Sequence, residues 1–499
     1  MRVALSLGAA LASGTPAEPH YFENQVDHFS TASRTYKQRY YEDATHFKGP
    51  GSPIFCIMGG EGGIDPSTGI FYPWVGTVLA KTFGALVIEP EHRFYGESLP
   101  FGNESFTVDN LRVMNTQQAL ADAAEFIRAQ QKARGCTPRG TAGYCPVVTF
   151  GGSYPGFLSA MMRLRYSAVV DAAYSASAPM RFYTQEVQQY DYYAIVSRSA
   201  ERAVPGCTKA VRAALDEVLA FIRNNTIEES TKQLGFCQPL PPYVTQDKEE
   251  LISELMLTVE QAFAGLNMAN YPPGPDTGMS QTCQSFVKAT DLLGPVADLL
   301  KSQTPSLAGK AVFGAVGAPA SCFDLESFRP AGKDGRVRCG DWSGCGSGHD
   351  GEMWDYQTCS FEVEHIGLDG KTDMFPPHPW TLDWLKDHCL NRFDVRPAPY
   401  ELQQNWGFSR EDLKATATKI IFTNGLNDGW SAGGFLTDVD ASRGLITLNM
   451  PNGAHHSDLS HNLPSDKDTP DVAAARANAT VILRQWLSEI KTDLGDVVV

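Results

Sequence analysis

Short apolar runs separated by polar, glycine-rich loops fill both ends of the chain. Within residues 20–43, Tyr36, Gln38 and Tyr40 fall on one face and Lys37, Arg39 and Tyr41 on the other, the alternation of early strands. Pro53 to Met58, Ala85 to Pro90, Val147 to Phe150, Lys419 to Asn424 and Leu445 to Met450 are compact apolar runs of the kind buried on both faces of a sheet. Helical segments lie between them. One starts at Thr116 as its cap and stops at Gly135, another follows Tyr154-Pro155-Gly156, and a third closes the chain after Thr469-Pro470. Strand and helix in alternation predict an α/β class.

Between Phe182 and Pro397 this texture is lost. Val211, Leu215, Val218, Leu219 and Ile222 mark one amphipathic helix, and Leu251, Ile252, Leu255, Met256 and Val259 mark another. Long Pro-, Gly- and Cys-rich connections separate them. The pattern predicts an α/β unit over residues 15–181 and 398–499, interrupted by a helical insertion over 182–397.

The 499 residues allow two or three domains, and a net charge of −16 argues against nucleic acid as a partner. Residues 1–14, with Arg2 before an apolar run and Ala10-Leu11-Ala12 at its end, read as a secretory leader. That places the protein outside the cell or in a lysosome or vacuole. No later stretch is apolar for long enough to predict a membrane span. The 11 cysteines leave at least one unpaired, and Cys56, in an apolar strand, is the expected free thiol. Cys136 and Cys145 are placed to staple their own loop. The insertion is expected to depend on disulfides among Cys207, Cys237, Cys283, Cys322, Cys339, Cys345, Cys359 and Cys389, with the pairing left open. Asn103, Asn224 and Asn478 stand in glycosylation sequons. His349, Asp350, His365, His378 and His388 invite a metal, but neither HExxH nor paired CxxC spacing occurs, so no metal or cofactor is expected. Oligomeric state is open, a homodimer included.

The chemistry concentrates after three strands. Gly151-Gly152-Ser153-Tyr154-Pro155-Gly156 joins a strand to a helix by a sharp turn, the setting that lifts a serine hydroxyl above a sheet. Asp428 and then His455-His456 follow two later strands. A serine hydroxyl needs an imidazole to take its proton, and the imidazole needs a carboxylate to fix its tautomer. Ser, Asp and His in that order are the α/β-hydrolase arrangement. Tyr154 N–H and the loop Gly59-Gly60-Glu61-Gly62-Gly63 are candidate oxyanion donors, Gly60 among them. The charged run Glu91 to Ser98 reads as a salt-bridge network shaping the crevice.

VDHF, QRYY, GGEGG, EHRFYGES, GGSYPG, SASAP, WDYQTC, MFPPHPW, NGLNDGW and GAHHSDL together resemble the S28 family of serine exopeptidases, over almost the whole chain. The resemblance implies an α/β-hydrolase core with a large, disulfide-bearing helical cap, and a triad of Ser153, Asp428 and His455. It implies hydrolysis of peptides beside proline. Trp430 is implied as a wall of the proline pocket. Phe157, one helical turn beyond Ser153, and His456 are expected near the substrate. Members often carry Asp-Pro-Trp where this chain has Asp428-Gly429-Trp430, and the glycine is expected to loosen that loop. Removal of an N-terminal X-Pro dipeptide and removal of a C-terminal residue after proline both remain open. The rivals are another α/β-hydrolase, such as an esterase or lipase, and a hydrolase-like binding protein.

Overall fold

The computed structural model describes residues 18–31, 34–64, 72–240, 245–303, 321–325, 348–459 and 464–495. The leader expected over residues 1–14, and Cys339 and Cys345, lie outside them. Among the described residues, eight strands form one sheet: β1 (His20–Gln25), β2 (Thr35–Asp43), β3 (Ile54–Ile57), β4 (Leu86–Pro90), β5 (Val147–Gly152), β6 (Ala172–Ala176), β7 (Ile420–Gly425) and β8 (Leu445–Met450). Their spatial order is β1-β2-β4-β3-β5-β6-β7-β8. β2 runs antiparallel to both neighbours, and every pair from β4 to β8 is parallel. This is the α/β-hydrolase sheet.

The apolar runs form strands because both faces are covered. Ile54, Cys56, Leu86, Ile88, Val147, Ile420 and Phe422 enter one core, with Leu120, Phe126, Phe157 and Met161 from the helices Thr116–Ala133 and Tyr154–Arg165. Phe55, Ile57, Val87, Val148 and Ile421 enter the other, against Trp74, Leu79, Leu483 and Trp486. Alternation by two along each strand thus feeds two helical layers. One helix start departs from expectation. Asn115 rather than Thr116 is the cap, its side chain accepting from Gln118 N–H. The Thr116 hydroxyl is instead donated to the buried Glu362.

Between β6 and β7 the helices Asp191–Ala203, Cys207–Asn224, Lys248–Met268, Gly278–Lys288 and Leu293–Gln303 share a core of their own. Bridges join Cys207 to Cys283, Cys237 to Cys322 and Cys359 to Cys389, while Cys136–Cys145 closes the loop before β5. Cys56 is free and buried. Among the described residues no helix is long and apolar enough to cross a membrane. Asp355, Cys359 and His388 lie together, but the cysteine sulfur is in a disulfide and Asp355 pairs with Arg392 and His388, so their lone pairs are committed.

The run Glu91–Ser98 does form a hydrogen-bonded ion-pair network. Glu91 accepts from Arg39, Ser98, the Glu97 amide and the Ile64 amide, tying the glycine-rich loop after β3 to the loop after β4. Arg93 grips Asp122 with Nε and Nη2 at 2.6 and 2.7 Å, both side chains almost fully buried. Tyr36 and His28 add two more bonds to the same carboxylate. Burial alone would raise the Asp122 carboxyl, but Arg93 and His28 outweigh it and hold the group below its ordinary value. Its stabilising contribution is therefore complete above about pH 4 and is lost as pH falls through the depressed folded value. Asp122→Asn, which leaves Arg93 uncompensated, should cost about 3–5 kcal/mol at neutral pH. Denaturant unfolding as a function of pH checks this, and the gap to wild type should narrow below about pH 3.

Candidate active site

Ser153 stands at the end of β5 with φ 64° and ψ −134°, a backbone conformation costly for any residue but glycine. Its amide is tied to the Ala176 carbonyl at 2.8 Å, and its own carbonyl accepts from the amides of Gly156 and Phe157. A serine preceding a helix normally caps it with its side chain. Here the hydroxyl does not cap the helix, and the residue is half-buried. Strain and a hydroxyl kept out of the cap are the marks of a nucleophile elbow. Gly152 permits the next contact, since a Cβ there would lie 2.7 Å from the His456 ring.

Asp428 follows β7 and is fully buried. Its Oδ2 lies 2.6 Å from His455 Nδ1, and its Oδ1 accepts from the Trp430 amide at 3.2 Å. A carboxylate accepts only, so Nδ1 carries the hydrogen and Nε2 is left with its lone pair. Among the described residues no hydrogen bond joins Ser153 Oγ to His455, and such bonds often close only when substrate arrives. His455 and His456 divide their work. His456 donates its amide to Ser177 Oγ, and its ring packs against Gly152 and Tyr72 rather than on the acid.

The oxyanion candidates meet at Pro155. A Cβ on Gly60 would lie 2.4 Å from Pro155 Cγ, so the loop after β3 rests directly on the first turn of the helix that begins at Tyr154. That turn also presents its N-terminal dipole. Glu61 is close enough to His455 to feel its charge, although burial raises the Glu61 carboxyl overall. The Tyr154 ring runs inward. Its hydroxyl donates to His92 Nε2 at 3.1 Å, because His92 Nδ1 is turned to the Arg93 carbonyl. Burial depresses His92 to about 4, so it stays the neutral acceptor. Glu362, pushed up to about 7 by burial, faces this network through Thr116.

Of the aromatics expected at the pocket, Trp430 lies beside the triad, its ring centroid 6.3 Å from that of His455. It is wedged between Phe182 and Tyr192, and its Nε1 points at Met268 Sδ. Phe157 is not brought to the same space. It is fully buried between Tyr183 and Phe408 under the nucleophile turn. Asn103, Asn224 and Asn478 are all exposed.

Sequence reasoning missed Asn267. From the end of the helix Lys248–Met268, its Oδ1 accepts from the Gly429 amide at 2.8 Å, and its Nδ2 donates to the Asn427 carbonyl at 2.7 Å. One buried amide side chain thus grips the residues on both sides of Asp428. The neighbouring Met268 carbonyl accepts from the His455 amide at 3.3 Å. The expectation that Gly429 loosens this loop is overturned. A Cβ there would meet the Tyr192 ring at 2.8 Å, and the amide that Asn267 holds is one that proline lacks. Nothing in local spacing signals a contact between residues so far apart in the chain.

The model of the serine carboxypeptidase S28 family matches residues 24–479. The chain belongs to that family. It is a serine peptidase by that membership. A lysosomal Pro-X carboxypeptidase of Mus musculus is 30% identical over 95% of this chain and 90% of its own length. The human lysosomal Pro-X carboxypeptidase is 29% identical over 95% and 89%. The thymus-specific serine protease of Mus musculus is 29% identical over 97% and 91%. Among solved structures, the acylaminoacyl peptidase of Pyrococcus horikoshii overlaps 34% of this chain and 24% of its own, at 15% identity and a TM-score of 0.24.

If Asn267 orients the acid, Asn267→Ala should lower kcat by ~10- to 100-fold with KM little changed, since misplacing a catalytic group by about 1 Å costs that much. Steady-state kinetics beside a thermal unfolding curve checks it. A fall in stability with kcat intact would make Asn267 a packing residue only.

Proposed function

We propose that this S28 peptidase is a proline-directed carboxypeptidase, releasing the C-terminal residue that follows proline. The observation that carries the catalytic part is the 2.6 Å bond between Asp428 and His455, made beside the strained turn that bears Ser153. In this reading His455 Nε2 takes the Ser153 proton as Oγ attacks the prolyl carbonyl. Tyr154 N–H and the loop at Gly60 stabilise the oxyanion, and His455 returns the proton to the leaving amine. Water then releases the acyl group by the same steps in reverse order. Proline asks for an apolar, rigid wall, and Trp430 supplies one, held by Phe182 and Tyr192 on either side. The direction of cleavage rests on the relatives named as Pro-X carboxypeptidases.

A specific observation favours the opposite end. Glu61 lies near His455 and has no ion-pair partner among the described residues, which suits a substrate ammonium group. The setting proposed for either activity is a lysosome or the outside of the cell. The predicted leader, the four disulfides among the described residues and three exposed sequons support it.

A panel of short peptides with proline at the second or the penultimate position, each blocked at one terminus, separates the two. The carboxypeptidase reading predicts cleavage of N-acylated peptides ending Pro-Xaa with a free carboxylate, and resistance once that carboxylate is amidated. Cleavage only of peptides with a free N-terminus and proline second would replace it with dipeptide release.

A further inference from the structure

The helix Lys248–Met268, which carries Asn267 in its last turn, has a row of acids along one face. Glu250, Glu254, Leu257 and Glu260 recur at three- and four-residue spacing and share one face. Glu254 and Glu260 are buried to 2% and 1% exposure, a costly place for a carboxylate.

Glu260 lines a cavity of about 180 Å³ with His378, Trp380 and Trp384. Its Oε1 has no hydrogen-bond partner, and the contact to His378 Nδ1 is long at 3.7 Å. Trp380 Nε1, also buried, has no acceptor. One cavity thus holds an orphaned acceptor and an orphaned donor between two indole rings. A second cleft of about 260 Å³ shares Leu257 and Trp384 with the first and adds Asp247, Glu249, Glu250 and Glu254. Among the described residues, Arg223 pairs with Glu249 at the exposed rim, and His378 lies at Glu260. Neither fills the cavity.

We propose that this groove is a subsite for a lysine or arginine side chain of the peptide substrate, an inference that rests on the peptidase reading above. The cationic head meets Glu260 Oε1, the aliphatic stem lies on Leu257 and Trp384, and Trp380 Nε1 donates to a peptide carbonyl. A free amine would leave that donor idle, which is why a peptide is the better occupant. The net charge of −16 favours the approach of basic peptides. A relay of packed rings runs from the groove toward the candidate site. The groove wall at Ile366 and Gly367 continues from His365, whose ring lies between Trp380 and Phe182, and Phe182 packs on Trp430.

Tryptophan fluorescence of the full-length protein, titrated with Nα-acetyl-lysine methylamide, reads binding without turnover. A saturable change that the norleucine analogue does not produce, and that Glu260→Gln removes, is expected. Turnover then identifies the occupant. Proline peptides with lysine at successive positions upstream of the cleaved bond, each compared with its norleucine isostere, should show a kcat/KM ratio of ~10 at one register. That ratio should fall toward 1 in both Glu260→Gln and Trp384→Ala. The same fluorescence response to lysine and norleucine amides, or no response to either, overturns the site. A lysine-specific response with no register preference assigns the groove to free amines and overturns the substrate reading. If no proline peptide is turned over, the catalytic proposal fails, and the titration decides the groove by itself.

Discussion

Asp428 is a carboxylate with no exposed surface, and among the described residues no lysine or arginine neutralises it. Its charge is balanced by His455 Nδ1–H and the Trp430 amide, with Asn267 fixing the chain on either side. Much of the architecture serves that burial. The sheet sets the loops after β5, β7 and β8 at the same edge, and Asn267 and Met268 of the insertion bond to the last two.

The insertion therefore contacts the candidate catalytic loops directly rather than only covering them. It contributes Asn267 to the acid loop, the Met268 carbonyl to the base loop, Tyr192 and Phe182 to the wall behind Trp430, and Glu362 to the network behind Tyr154. Each contact joins segments distant in the chain. A site assembled this way couples the packing of the cap to the geometry of the candidate triad, and the bridges Cys207–Cys283 and Cys359–Cys389 tie segments of the cap to one another.

The sheet was legible because its strands are buried on both faces, so Ile54 to Ile57 or Ile420 to Gly425 read as apolar runs whatever surrounds them. The three loops bearing Ser153, Asp428 and His455 were legible for the same reason, as they begin where those runs end. The misreadings have a common cause. Thr116 looks like a helix cap locally, but its hydroxyl is taken by Glu362, and Asn115 caps instead. Gly429 looks like slack locally, but Tyr192 and Asn267 occupy the space and the amide that would make it so. Phe157 has the right helical phase for the pocket, yet Tyr183 and Phe408 enclose it. Asn267 and His92 gave no signal, because an asparagine in a helix and a histidine in a charged loop acquire a role only through partners elsewhere in the chain.

The central claim is that Ser153 alone is activated, by His455 held on Asp428. Treating the folded protein with a fluorophosphonate and mapping the adduct by mass spectrometry tests it most directly. The account predicts one phosphonylated residue, Ser153, with labelling abolished in Ser153→Ala and strongly slowed in His455→Ala, while His456→Ala still reacts. Labelling at another serine, or unimpaired labelling without His455, would contradict it.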